Sequence, residues 1–190
     1  NALRNEANAD YTLLYARLAE FLRPDHTEAL LLTAELLETL GRYELASQTY
    51  QKVSADDPSF HAAELGRAEA LREAGKIEAA MEVLESLTRS QPDLPYVHTA
   101  LGDLRRQEKD FEGAIASYDT AISLYDTLEM RQWFLFYARA ISHERLDNWE
   151  AAEADFRKAL ELNPEQPQVL NYLGYSLVEK QIKLDEALDM

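Results

Sequence analysis

The sequence predicts an all-α fold, a right-handed superhelical solenoid of antiparallel helix pairs, and three observations predict it. Pro24, Pro58 and Pro92 stand 34 residues apart. Ala46, Ala80 and Ala114 keep the same interval, and the alanine returns after small insertions at Ala152 and Ala187. Three positions earlier a large apolar residue does likewise, at Tyr43, Ile77, Phe111, Trp149 and Leu184. A fixed period of this length marks paired helices that bury their apolar faces only by stacking on neighbours.

The units follow in order. Residues 1–26 hold part of a first unit: Tyr11 to Phe21 is apolar at helical spacing and ends at Pro24, as the second helix of a preceding pair would. Its register is open, because Tyr11 to Pro24 is two residues shorter than Tyr43 to Pro58. Residues 27–60 carry Leu30, Ala34, Leu37 and Gly41, then Tyr43, Ala46, Tyr50 and Val53. Residues 61–94 carry Ala68 and Leu71, a turn at Glu73-Ala74-Gly75-Lys76, then Ile77, Ala80, Leu84 and Leu87. Gly75 suits the residue after a helix end, where a left-handed backbone costs glycine least. Each closing proline disfavours helical geometry in the residue before it.

Residues 95–132 open at Pro95, turn at Glu108-Lys109-Asp110 with Asp110 placed as an N-cap, and continue through Phe111, Ala114, Tyr118 and Ala121. The 3-4-3 spacing of that second helix keeps one apolar stripe towards its neighbours. Asp126 then stands where a proline is due, and Pro164 follows it by 38 residues instead of 34. The four extra residues fall within Tyr125 to Gln132, which holds no Gly or Pro, so longer helices and a local change of curvature are expected there. Residues 133–166 hold Phe136, Ala140 and His143, a turn at Asp147-Asn148, then Trp149, Ala152, Phe156, Ala159 and Pro164. Residues 167–190 begin another unit with Leu170, Leu173, Gly174 and Leu177, add one residue around Gln181–Lys183, and stop at Met190. The chain opens at Asn1-Ala2 without a methionine, so a fragment of a longer protein is expected, forming one continuous solenoid domain.

These residues resemble the tetratricopeptide repeat family, whose pattern runs from a large residue through Leu-Gly, Ala and an aromatic to a closing Pro. Leu101-Gly102, Phe111, Ala114 and Tyr118 match it, as do Leu173-Gly174 with Leu177, and Trp149, Ala152, Phe156, Ala159 and Pro164. The resemblance covers residues 27–190. It departs in lacking Trp at the opening aromatic position and in placing Ala34, Ala68 and Ala140 where the family has glycine. The resemblance implies a scaffold that binds a peptide or protein in a concave groove lined by first helices. It does not extend to clamps for the acidic tails of chaperones, which use Lys and Asn where this chain has Leu31, Leu65 and Thr99.

Composition narrows the function. The 190 residues carry 35 acidic and 19 basic side chains, a net charge of −16. Such a surface repels nucleic acid and anionic lipid, and it steers in a basic partner. No apolar run approaches the roughly 20 residues of a membrane span. Cysteine is absent, which removes disulfides, thiolate zinc and cysteine nucleophiles. That absence fits a reducing compartment, so a cytoplasmic location is expected ahead of a periplasmic one. Compact, cysteine-free units are also compatible with a bacterial source.

Chemistry of its own is not expected. His26, His61, His98 and His143 lie at different positions in their units and form no metal-ligand spacing. The six glycines are scattered singly, so there is no phosphate loop, and Asp56-Asp57 lacks the continuation of a calcium loop. No cofactor, no metal and no enzymatic activity follow from this pattern.

Groove-facing first-helix positions can be counted off by register. The first units offer Leu31, Glu35 and Glu38, then Leu65, Glu69 and Arg72. The middle offers Tyr96, Thr99, Asp103 and Arg106, and the last units Phe134, Tyr137, Ile141 and Arg145, then Asn171, Tyr175 and Val178. Acids recur at Glu35, Glu69 and Asp103, while aromatics gather later. A protein or peptide partner with basic and apolar parts is expected. Arg72 and Arg106 either clamp a carboxylate or pair with Glu69 and Asp103, the second being the commoner arrangement. Two alternatives stand beside this reading: a homodimer through exposed solenoid ends, and the docking part of a longer enzyme.

Overall fold

The computed structural model describes residues 2–188, and among them every regular element is helical. The expectations at Asn1 and Met190 lie outside the described residues. Two compact units divide the chain, Asn1–Pro92 and Asp93–Met190.

The first unit runs α1 (Ala2–Leu22), α2 (Thr27–Thr39), α3 (Tyr43–Tyr50), α4 (Phe60–Glu73) and α5 (Ile77–Ser90). Its core gathers Leu13 from α1, Leu30, Ala34 and Leu37 from α2, and Ala46 and Tyr50 from α3. Alanines sit where helices cross because a larger side chain would hold the backbones apart. The same logic explains Gly66 on α4: a Cβ there would stand 2.6 Å from the ring of Tyr50. α1 has two apolar faces. Leu13 and Ala16 are buried, while Tyr11, Leu14, Tyr15, Leu18 and Phe21 face solvent.

The second unit runs α6 (Pro95–Gln107), α7 (Phe111–Ser123), α8 (Trp133–Arg145), α9 (Trp149–Leu162), α10 (Pro167–Glu179) and α11 (Leu184–Leu188). Pro95 and Pro167 occupy the first turns of α6 and α10, where a missing N–H is harmless. Asp110 caps α7 as expected, its carboxylate accepting from the Gly113 N–H at 3.0 Å. Tyr118 is fully buried against Gly102, where a Cβ would lie 2.8 Å from the ring. Phe136, Phe156 and Leu173 form the heart of the core beyond it.

The insertion differs from expectation. Instead of lengthening the helices, residues 124–129 leave helical geometry, and a 3-10 turn at Met130–Gln132 leads into α8. The cause is a capping box: Glu129 is extended, its side chain accepts from the Gln132 backbone, and the Gln132 amide oxygen accepts from the Glu129 N–H at 2.8 Å. A helix start is thereby written into a segment without glycine or proline.

One turn recurs in every helix pair. Gly41, Gly75, Lys109, Asp147 and Gln181 all have positive φ, between 56° and 74°. Each donates its N–H three residues back, and the next residue donates five back, as in Gly75 to Arg72 and Lys76 to Leu71. This is the Schellman pattern, which satisfies the last carbonyls of the first helix. Glycine fills the left-handed position twice; Lys109, Asp147 and Gln181 hold it against a side-chain penalty of about 1 kcal/mol each.

Candidate functional site

Register places the candidate residues on first helices, and each unit presents its own set. In the first unit, Glu35 is exposed on α2 and Glu69 on α4, with half-buried Glu38 close to both. Glu38 accepts a hydrogen bond from the Tyr50 hydroxyl at 2.9 Å. Burial, reinforced by the Glu69 and Glu35 charges, raises its pKa even so. Glu69 is held by Arg72, whose guanidinium donates at 2.9 Å and 2.5 Å, and this holds the carboxyl below its ordinary range. Arg72 also pairs with Glu73. It is thus engaged with acids of its own helix, the commoner of the two arrangements.

In the second unit the first-helix residues divide three ways. Thr99 is buried, and its hydroxyl donates back to the Pro95 carbonyl at 3.0 Å. Asp103 accepts from the Tyr118 hydroxyl at 2.7 Å, while Arg106 donates through Nε to the same hydroxyl oxygen at 3.2 Å and stands 3.7 Å from Asp103. Burial raises the Asp103 pKa against these bonds. Tyr137 belongs to an aromatic cluster, with ring centroids 5.8 Å from Trp133, 6.1 Å from Phe156 and 6.0 Å from Tyr172 in an edge-on contact.

The remainder reach solvent. Tyr96 and Phe134 are exposed on α6 and α8, and on α10 Asn171, Tyr175 and Val178 are exposed, Tyr175 by 69%. Asn171, Tyr175 and Val178 border a shallow hollow of about 250 Å³ with Leu170, Gly174 and Ala187. Ile141 lines a larger hollow of about 530 Å³ with Arg106, Gln107, Lys109, Phe111 and Arg145. Register counting on first helices alone does not reach Lys109 or Phe111, because they sit in the turn and at the start of the second helix. The signal lay in the turn position itself, which holds glycine at 41 and 75 and lysine at 109.

Beneath these surfaces, Arg139 ties the second unit together. It donates two 2.7 Å hydrogen bonds to Asp155 on α9 and a 2.5 Å bond to Asp119 on α7, with its guanidinium 5.4 Å from the centre of the Phe136 ring. Among the described residues, no group of His, Asp or Glu gathers as a metal site would require. No helix among them is long and apolar enough to cross a membrane.

Family models described as tetratricopeptide repeat match residues 1–60, 41–104, 95–127 and 133–166. No curated protein matches the sequence. Among solved structures, PilF of Pseudomonas aeruginosa is similar with a TM-score of 0.73 at 21% identity, over 85% of this chain and 72% of that one. A chain of the APC/C hetero-tetramer Cut9–Hcn1 is similar at 0.69 and 18% identity; the match takes in 95% of this chain and only 36% of the other. YrrB, a TPR protein described as having an unusual peptide-binding site, is similar at 0.67 and 14% identity, over 90% and 86%. At these identities the likeness is one of fold. With the 34-residue period, the repeated turn and four family matches in succession, the chain belongs to the tetratricopeptide repeat family.

Proposed function

We propose that this chain is a protein-interaction scaffold that binds a peptide or protein segment against the first helices of its pairs, without chemistry of its own. One observation carries the reading: Phe134, Tyr175 and Val178 remain solvent-exposed on first helices, while the second-helix aromatics Tyr118 and Phe156 are fully buried. Exposed aromatic and aliphatic side chains on a rigid helix lose little conformational entropy on binding and serve well as anchors. In the first unit Glu35, Glu38 and Glu69 favour a basic stretch of the partner. The peptide-binding site in the description of YrrB, a protein of the same fold, supports the same class of function.

Affinity capture from the source cell tests the reading, comparing the parent chain with a Tyr175→Glu, Val178→Glu variant whose unfolding curve is unchanged. Partners held by the parent and lost by the variant are expected. Equal capture by both moves the function away from this face.

Self-association is a second reading, favoured by the solvent-facing stripe Tyr11, Leu14, Tyr15, Leu18 and Phe21 on α1. Apolar surface of that extent commonly marks an interface. Sedimentation of the parent beside a Leu14→Glu, Leu18→Glu variant decides it: a concentration-dependent dimer lost in the variant supports the reading, and a monomer at all concentrations removes it.

A further inference from the structure

We propose that the second unit carries a docking site for an acidic peptide segment, one that sets side-chain carboxylates beside an aliphatic residue. The proposal rests on the scaffold reading above and names the chemistry of one partner segment. Its basis is the hollow of about 530 Å³ lined by Arg106, Gln107, Lys109, Phe111, Ile141 and Arg145. In a chain of net charge −16, three cations meet here and no carboxylate lines the hollow. Phe111 and Ile141 supply an apolar floor beside them.

The cations keep capacity for a ligand. Lys109 is exposed and makes no ion pair among the described residues. Arg145 is 58% exposed and approaches Glu144 only at 3.9 Å, while Glu144 already accepts from the Tyr172 hydroxyl at 3.1 Å. Arg106 spends Nε on the Tyr118 oxygen and approaches Asp103 at 3.7 Å through one terminal nitrogen, leaving its other N–H groups uncommitted. Two guanidinium groups and an ammonium around one hollow match side-chain carboxylates, since charge-assisted bonds to Arg are directional and strong.

Asp103 and Glu144, 3.7 Å and 3.9 Å from Arg106 and Arg145, offset part of this local field, whereas more distant exposed acids are screened over roughly 8–10 Å at physiological salt. A long polyanion such as nucleic acid would meet the whole negative surface, which disfavours it. The cations stand at the C-terminal ends of first helices and in the turn after α6, and a segment with blocked ends can reach them through side-chain carboxylates alone.

The test is fluorescence anisotropy with a dye-labelled hexapeptide, Asp-Leu-Glu-Glu-Leu-Asp, acetylated and amidated so that its ends carry no charge. The control replaces each acid with its amide. Saturable binding of the acidic peptide is expected, weakened about tenfold or more in the amide control and in Lys109→Glu, Arg145→Glu, and less in the neutral Lys109→Gln, Arg145→Gln. Rising salt should weaken it as well. Equal binding of the two peptides, or binding unmoved by charge reversal in a variant that melts like the parent, overturns the proposal. Absence of peptide binding, with a self-association that charge reversal abolishes, overturns it in favour of a second copy as occupant. If the peptide fails while capture still depends on Tyr175 and Val178, this inference falls and the scaffold reading stands; if that dependence fails too, both fall.

Discussion

The two units put opposite charge at one position of the same scaffold. In the first, Glu35, Glu38 and Glu69 crowd together, and the pKa of Glu38 rises. In the second, the position two repeats beyond Glu38 is Arg106, and the tyrosine equivalent to Tyr50 is Tyr118, bound by both Asp103 and Arg106. A tyrosine hydroxyl from the second helix thus meets a lone carboxylate in one unit and an ion pair in the other. The helices, the turn and the crossing alanines are common to both. The lesson is that the packing positions and the surface positions of a repeat vary independently, so one fold can present two surface chemistries.

The comparison can be broken most forcefully at Arg139. Arg139→Met leaves Asp155, whose side chain is 9% exposed, without its bidentate partner. A loss of about 3 kcal/mol in urea unfolding is expected, because removing one partner strands a buried charge. Arg139→Met combined with Asp155→Leu should regain most of it; a double variant no better than the single would mean that the network is not an ion-pair effect.

Next comes the glycine beneath each tyrosine. Gly102→Ala and Gly66→Ala each drive a methyl into a buried ring, at about 1–3 kcal/mol. The larger loss is expected at Gly102, because Tyr118 would have to leave two partners and Tyr50 only one. Equal losses would mean that the hydroxyl contacts do not hold the rings.

A gain is expected from Asp147→Gly, which relieves the left-handed backbone by about 0.5–1 kcal/mol. An unchanged or lower melting temperature would show that the turn tolerates side chains freely.

The smallest effect belongs to Glu38. Its pKa is raised in the folded state, so its contribution favours folding at low pH and is lost as pH rises through the raised value. Glu38→Gln should therefore stabilise at neutral pH by roughly a few tenths of a kcal/mol, since the group is partly exposed and screened. The gain should close as the pH falls. A gain independent of pH would assign it to packing instead of charge.

Much of this was legible in the sequence because stacking repeats impose one register on the whole chain. The alanines, the closing prolines and the Asp110 cap stand where the period puts them. What escaped was local chemistry without glycine or proline. Glu129 and Gln132 start a helix by bonding each other, so the insertion became a loop and a 3-10 turn where longer helices were expected. Lys109 and Gln181 adopt a left-handed backbone that neither residue type signals; only their alignment with Gly41 and Gly75 does. Among the candidate site residues, exposure separated those that register had grouped. Thr99 turned inward and Tyr137 joined an aromatic cluster, while Tyr175 stayed in water, because neighbouring helices decide which side chains of a face they cover.

Both tryptophans, Trp133 and Trp149, belong to the second unit, and the Lys180 ammonium sits 5.1 Å above the Trp149 ring. The protein is therefore optically lopsided. Emission excited selectively at indole follows the second unit alone, while far-ultraviolet circular dichroism weighs the helices of both. Superimposable melts by the two probes would describe one cooperative transition, and displaced melts two. The position of two side chains thus makes the chain its own reporter of how the halves share their stability.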